Sequence, residues 1–307
     1  MKLRVVLAIL ALSSTASPCW GQVPPFITSW GGFGTGDGQF KTPVGVGVDA
    51  DGFVYVVDTN VPRIQRFTRT GTYVSQWPCS DARDVEVGPD GCVYVLRTGL
   101  ISKYSTTGVL LSGWAARNGS SIAVDVDGSV WTSSGYDGGV VSRYTNSGVL
   151  LSEWAAHLAP GFPGLDDLDG VAVDGRGHFY TVQRSEALVR KFTMTGSLVA
   201  QWGAFGVGNG QFNWPVRIAT SPDGTKVYVV DYQNSRIQVF SDTGSYLGQW
   251  GIAGSGPGQF LNPIGIGVDR DGNVYVADTN NSRIQLFGDV VTSTRPISWA
   301  DLKRRYR

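Results

Sequence analysis

An all-β fold assembled from a repeated four-stranded unit is predicted by three observations: a recurring aromatic phrase, a recurring Asp-Gly hairpin phrase, and a composition of turns and flat rings. The 307 residues include 42 Gly, 10 Trp, 12 Tyr and 13 Phe but only 2 Met, which suits strands and tight turns better than long helices. Apolar residues make up 42%, enough for a large core and against intrinsic disorder. Charged residues are only 16%, with 25 basic and 25 acidic, so the whole chain offers no field for a polyanion or an anionic membrane.

The neutral total hides three parts. Residues 1–21 run from MKLR through VVLAILAL to a small, polar stretch, the pattern of a secretory signal peptide cleaved between Ala16 and Gln22. Its apolar run is too short to span a bilayer, and no later run reaches the length of about 18 residues a span needs. The expectation is an exported chain, secreted or periplasmic, without stable membrane insertion. Cys19 follows Pro18, a poor neighbour for lipid attachment. Residues 291–307 form a basic tail with Arg295, Lys303, Arg304, Arg305 and Arg307 against Asp301, leaving a mildly acidic body, residues 22–290, at a formal −6. The tail reads first as a frayed end, with a sorting signal or a membrane-surface or partner-binding peptide as the alternatives.

Six segments end in tryptophan: FITSW at Trp30, YVSQW at Trp77, VLLSGW at Trp114, VLLSEW at Trp154, LVAQW at Trp202 and YLGQW at Trp250. Between them lie PVGVGVDADGFVYVVD, RDVEVGPDGCVYVL, SIAVDVDGSVWTS, DGVAVDGRGHFYTV, PVRIATSPDGTKVYVV and PIGIGVDRDGNVYVAD, each two alternating runs around a Gly-bearing turn, the mark of a β-hairpin. A third strand follows (RIQRF, RIQVF and RIQLF are the clearest), and the tryptophan phrase makes a fourth. Four short antiparallel strands per unit is the signature of a propeller blade, and counting gives a six-bladed β-propeller. The last unit stops after its third strand at Phe287, whereas Phe26 to Trp30 is a fourth strand with no blade before it. That N-terminal strand is expected to complete the sixth blade, close the ring and remove exposed edges.

On these phrases the chain resembles the NHL-repeat family, six-bladed propellers of the TolB-like superfamily, in a secreted bacterial form. The resemblance is most specific in TPVGVGVDADGFVYVVDTNVPRIQRF, WPVRIATSPDGTKVYVVDYQNSRIQVF and NPIGIGVDRDGNVYVADTNNSRIQLF, which are blades one, five and six. Blades two to four keep the hairpin and the tryptophan but depart elsewhere.

Asp58 with Arg63, Asp231 with Arg236, and Asp278 with Arg283 look catalytic, but blades two to four replace acid and base together, with Arg97, Ser134 and Gln183 against Leu100, Val140 and Leu188. Joint loss fits a structural ion pair between two strands better than a single active site. The D-x-D-G phrases mimic calcium loops without the further acidic ligand such loops need, so they read as hairpin turns. GGFGTGDGQF, GAFGVGNGQF and GIAGSGPGQF are not followed by a helix or by Lys-Ser/Thr, so they read as connections between blades. The tryptophans read as packing between neighbouring blades. His157 and His178 are the only histidines, too few for a three-histidine zinc site, and Cys79 and Cys92 fall toward opposite faces of blade two, against a disulfide. No metal or cofactor is expected.

Residues that differ between repeats are not required by the repeat's own packing, so function can be added there. Where the inner strands begin, blades one, five and six are nearly uniform, but Arg83, Asp84, Asp169 and Arg217 bring charge, on the same face as loops carrying Arg97, Tyr136, Arg184 and Tyr232. These eight residues are the candidate ligand-binding rim. The expected function is a non-catalytic, monomeric binding platform for a protein, peptide or glycan. The resemblance also implies two alternatives: a lyase or calcium-dependent lactone or ester hydrolase with a channel metal, and an RNA-binding domain. The acidic body argues against nucleic acid.

Overall fold

The computed structural model describes residues 23–135, 139–155 and 167–288. Strand β1 (Phe26–Gly31) precedes blade one, formed by β2 (Pro43–Val48), β3 (Val54–Asp58), β4 (Arg63–Phe67) and β5 (Tyr73–Pro78). Blade two holds β6 (Ala82–Val87), β7 (Val93–Arg97), β8 (Leu100–Tyr104) and β9 (Leu110–Ala115), and blade three β10 (Ser121–Val124), β11 (Val130–Ser134), β12 (Val140–Tyr144) and β13 (Leu150–Trp154). Blade four holds β14 (Leu168–Val173), β15 (His178–Gln183), β16 (Leu188–Thr193) and β17 (Leu198–Trp202), and blade five β18 (Pro215–Thr220), β19 (Lys226–Asp231), β20 (Arg236–Ser241) and β21 (Tyr246–Trp250). Blade six has β22 (Ile266–Val268), β23 (Val274–Asp278) and β24 (Arg283–Phe287) of its own.

The sixth sheet has the order β1-β24-β23-β22, so the N-terminal strand supplies its fourth member. Antiparallel partners run from Phe26 opposite Phe287 to Gly31 opposite Arg283. The backbone ladder of the last blade is thereby satisfied by residues more than 250 positions away, and the ring closes as the unfinished last repeat predicts.

Alternating side chains on both faces of each sheet meet those of the next blade. Tyr55, Tyr94, Tyr180 and Tyr275, near the start of the second strand of four different blades, are fully buried. Trp30, Trp77, Trp114, Trp154 and Trp202 each cross to the following blade and lie on the glycine of its outer turn. A Cβ on Gly148, at φ +92°, would come 2.5 Å from the Trp114 ring, and Gly71 stands in the same relation to Trp30. That position needs glycine twice over, for its left-handed backbone and for the space the indole fills. The outermost strands face solvent: Val109, Leu110 and Leu111 of blade two and Val149, Leu150 and Leu151 of blade three are all exposed.

The hairpin turns are closed by their own aspartates. Asp49 accepts hydrogen bonds from the Asp51 and Phe53 N–H groups at 3.0 and 2.8 Å and from the Tyr55 hydroxyl at 2.9 Å. Asp269 repeats this with Asp271, Asn273 and Tyr275. Cys79 and Cys92 are free thiols, and burial pushes the Cys79 thiol upward in pKa.

Candidate functional site

The three Asp and Arg pairs are in contact, and each also holds the glycine-rich connection ahead of its blade. Arg236 Nε lies 2.7 Å from Asp231 Oδ2, Arg283 Nε lies 2.7 Å from Asp278 Oδ2, and Arg63 Nη2 lies 3.7 Å from Asp58 Oδ2. Arg236 donates to the carbonyls of Val207, Gly208 and Gln211, and Asp231 accepts from the Asn213 N–H at 2.7 Å. Arg63 and Arg283 reach the matching carbonyls of Gly36, Gln39, Gly256 and Gln259. Acid and base therefore occur together in the blades that have such a connection, for a physical reason: one pair serves both the strand turn and the loop. Gln39, Gln211 and Gln259 fold back onto Gly36, Gly208 and Gly256 at 2.9–3.0 Å, and Phe40, Phe212 and Phe260 are fully buried beneath them.

At the mouth of the central channel on the same face lies a bowl of about 480 Å³. The innermost strands supply its wall, and their local geometry aims it. In β2, β6, β14 and β18 the pairing with the second strand slips between the first and third residues, leaving Val44, Arg83, Asp169 and Val216 as the extra residue. A bulge releases its residue from the ladder and turns its side chain toward the mouth. Those four, with Ser120 and Ile264 at the matching positions, all line the bowl, joined by Arg184, Arg217, Tyr232, Thr59, Gly135, Asp167, Leu168 and Trp214.

Arg217 forms the floor. From blade five it reaches across the channel, with Nε 3.5 Å from Asp84 Oδ2 of blade two and Nη1 3.5 Å from Asp169 Oδ1 of blade four, and it donates to the Ser120 carbonyl of blade three. Asp84 is buried and also accepts from the Val85 and Ile122 N–H groups at 3.0 and 3.1 Å. Burial raises its pKa, opposed first by the Arg217 charge. Arg184 holds Asp167 with two hydrogen bonds of 2.5 and 3.1 Å, approaches Asp169 at 3.4 Å, and lies 5.5 Å from the Trp214 ring centre. Below the floor the channel narrows past Glu86, whose carboxyl is pushed up to about 8 by burial and which accepts the Val87 N–H.

Of the eight rim candidates, Arg83, Asp169, Arg184, Arg217 and Tyr232 line the bowl. Asp84 lies beneath it, under Arg217, rather than on the rim. Arg97 is not part of the lining; it turns aside to the Ser80 carbonyl and hydroxyl at 2.8 and 2.9 Å, because its blade has no glycine-rich connection for that position to hold. Tyr136 and His157 lie outside the described residues.

Asp167 and Trp214 are members of the site that spacing alone did not single out. A signal was present: nine residues before the hairpin-turn position stand Thr42, Asp81, Asn118, Asp167, Trp214 and Asn262, five short polar side chains and one indole. Among the described residues no group of three or more His, Cys, Asp or Glu side chains could hold a metal ion. No helix among them is long and apolar enough to cross a membrane.

Residues 260–287, which hold three of the four strands of blade six, β22 to β24, match the family model of the NHL repeat. The chain carries an NHL repeat. No curated protein matches it in sequence. Among solved structures, virginiamycin B lyase from Staphylococcus aureus is similar at a TM-score of 0.59 and 14% identity, over 81% of this chain and 96% of that one. Kuenenia stuttgartiensis hydrazine synthase is similar at 0.59 and 13%, over 81% and 84%. The WD40 propeller domain of Doa1 is similar at 0.59 and 15%, over 84% and 81%. At such identities the likeness concerns the propeller fold alone, which this chain shares with a lyase, a synthase and a WD40 domain alike.

Proposed function

We propose that this protein is a non-catalytic binding propeller, acting in the cell envelope or outside the cell, with the bowl at the channel mouth as its ligand-contacting surface. One observation carries the reading: the side chains that break the repeat, Arg83, Asp169, Arg184, Trp214 and Arg217, converge on one cavity, whereas the positions that keep the pattern contribute Val44, Val216 and Ile264 to it. Such a bowl has an apolar crescent, a charged wall and a rigid frame, so little ordering cost attends binding. Arg217 sits between Asp84 and Asp169, the acids at the mouth that a catalytic metal would use, which favours binding over the lyase or hydrolase reading. Export rests on the signal pattern of residues 1–21, and a monomer on the closed ring.

Affinity capture from envelope and culture-medium fractions tests this, with the wild type beside a folded Arg83→Glu, Tyr232→Ala variant. A molecule retained by the wild type and lost from the variant is the expected result. Equal recovery by both proteins, or a stoichiometric divalent metal bound to the purified protein together with turnover, overturns it. N-terminal sequencing of the mature protein checks export, with a start between residues 17 and 23 expected.

A further inference from the structure

Trp214 is out of place for folding. It adopts φ +56°, as do its counterparts Asp81 at +56°, Asp167 at +57° and Asn262 at +51°. Asp and Asn enter this left-handed region with least strain because their short polar side chains bond locally, whereas a bulky ring is disfavoured there. The strain is not offset by burial, since Trp214 remains 49% exposed. One face of its ring is taken by Arg184, and the residue stands at the edge of the bowl.

Across the bowl stands a cation without a counterion. Arg184 and Arg217 are matched by Asp167, Asp169 and Asp84. Arg83, also in the lining, has no carboxylate within 4.0 Å among the described residues; its Nε makes a 3.4 Å contact to Thr98 Oγ1. Between Arg83 and Trp214 the wall is aliphatic, with Val44, Val216 and Ile264.

Resting on the binding reading above, we propose that the bowl takes a carboxylate joined to an apolar body, the carboxylate on Arg83 and the body against Trp214 and the aliphatic crescent. A guanidinium fork matches a carboxylate, and an indole offers flat apolar area at small entropic cost. Two sources share this chemistry, a free N-acyl amino acid and the C-terminus of a peptide.

Calorimetry and Trp-fluorescence titration of the full mature chain separate them, using N-acetyl-leucine, a hexapeptide ending in leucine with a free carboxylate, the same peptide amidated, and one ending in glycine. Binding of the free-carboxylate leucine peptide is expected, with amidation weakening it by about tenfold or more, the worth of one charge-assisted pair. Arg83→Ala should bring acid and amide to the same affinity. Trp214→Asn should remove the preference for leucine over glycine while leaving the melting temperature unchanged or higher, since Asn relieves the backbone. N-acetyl-leucine binding as tightly as the peptide assigns the site to small acids; tighter peptide binding assigns it to C-termini. Indifference to amidation, no binding by any probe, or a marked loss of thermal stability in Trp214→Asn overturns the proposal. Success of the capture experiment with failure of these probes would reject this ligand class and leave the bowl as a binding surface.

Discussion

Breaking the Asp231 and Arg236 pair one side at a time should cost far more than its separate bonds suggest. Asp231 is fully buried and its carboxylate accepts four hydrogen bonds: from the Asn213 N–H at 2.7 Å, Asn234 Nδ2 at 2.9 Å, Arg236 Nε at 2.7 Å and Gln238 Nε2 at 3.1 Å. Asp231→Gln leaves the Arg236 guanidinium, whose side chain is 6% exposed, without a counterion, and Arg236→Leu leaves the carboxylate in the same position. Each single change should destabilise by about 3–5 kcal/mol, the usual cost of an uncompensated buried charge. The double variant copies blade four, where Gln183 and Leu188 fill these two places, and it buries no charge. Its cost should fall short of the sum of the singles by about 1–3 kcal/mol. It will not vanish, because the Val207, Gly208 and Gln211 carbonyls lose their donor. Equilibrium urea unfolding followed by tryptophan fluorescence measures all four corners of the cycle. Additivity to within about 0.5 kcal/mol would show that the two residues act independently, and the account of their joint loss in blades two to four would be wrong.

Ring closure is tested by Trp30→Ala, which empties the contact of β1 with Phe67 and Tyr275 at 6.0 and 6.3 Å and should cost about 3 kcal/mol; a melting temperature lowered by less than about 2 °C would show that β1 contributes little. Gly148→Ala should destabilise by about 2 kcal/mol or more, because the methyl meets both a left-handed backbone and the Trp114 ring; thermal melts beside an exposed Gly91→Ala control separate the steric part from the backbone part. Glu86 provides a pH test. The folded chain keeps its proton up to about 8 whereas the unfolded chain releases it near 4.5, so stability falls as pH rises through that window. Glu86→Gln should match the wild type at about pH 4 and exceed it at about pH 8 in urea midpoint; identical pH profiles would place the carboxyl in water instead.

The linear chain determined the architecture because each propeller contact is local or repeated. Six tryptophans at near-regular spacing, six hairpin phrases and an unfinished last repeat are enough to place every blade and to pair Phe26–Gly31 with Arg283–Phe287. Part of the site was legible by the same logic: Arg83, Asp169 and Arg217 stand out because each puts a charge where most other repeats carry an uncharged residue. Only the tertiary structure decided what those departures do. Arg217 spans three neighbouring blades and ties Asp84 beneath the bowl, a partnership between residues 133 positions apart that no spacing rule contains. Arg97, at an equally anomalous position, turns away to Ser80 instead of facing the bowl. Trp214 was visible as a letter but not as a strained one, since its meaning depends on a backbone dihedral and on the solvent beside it. Periodic packing is written in the sequence because every repeat restates it; a site at the axis is written once, and its parts meet only when the ring closes.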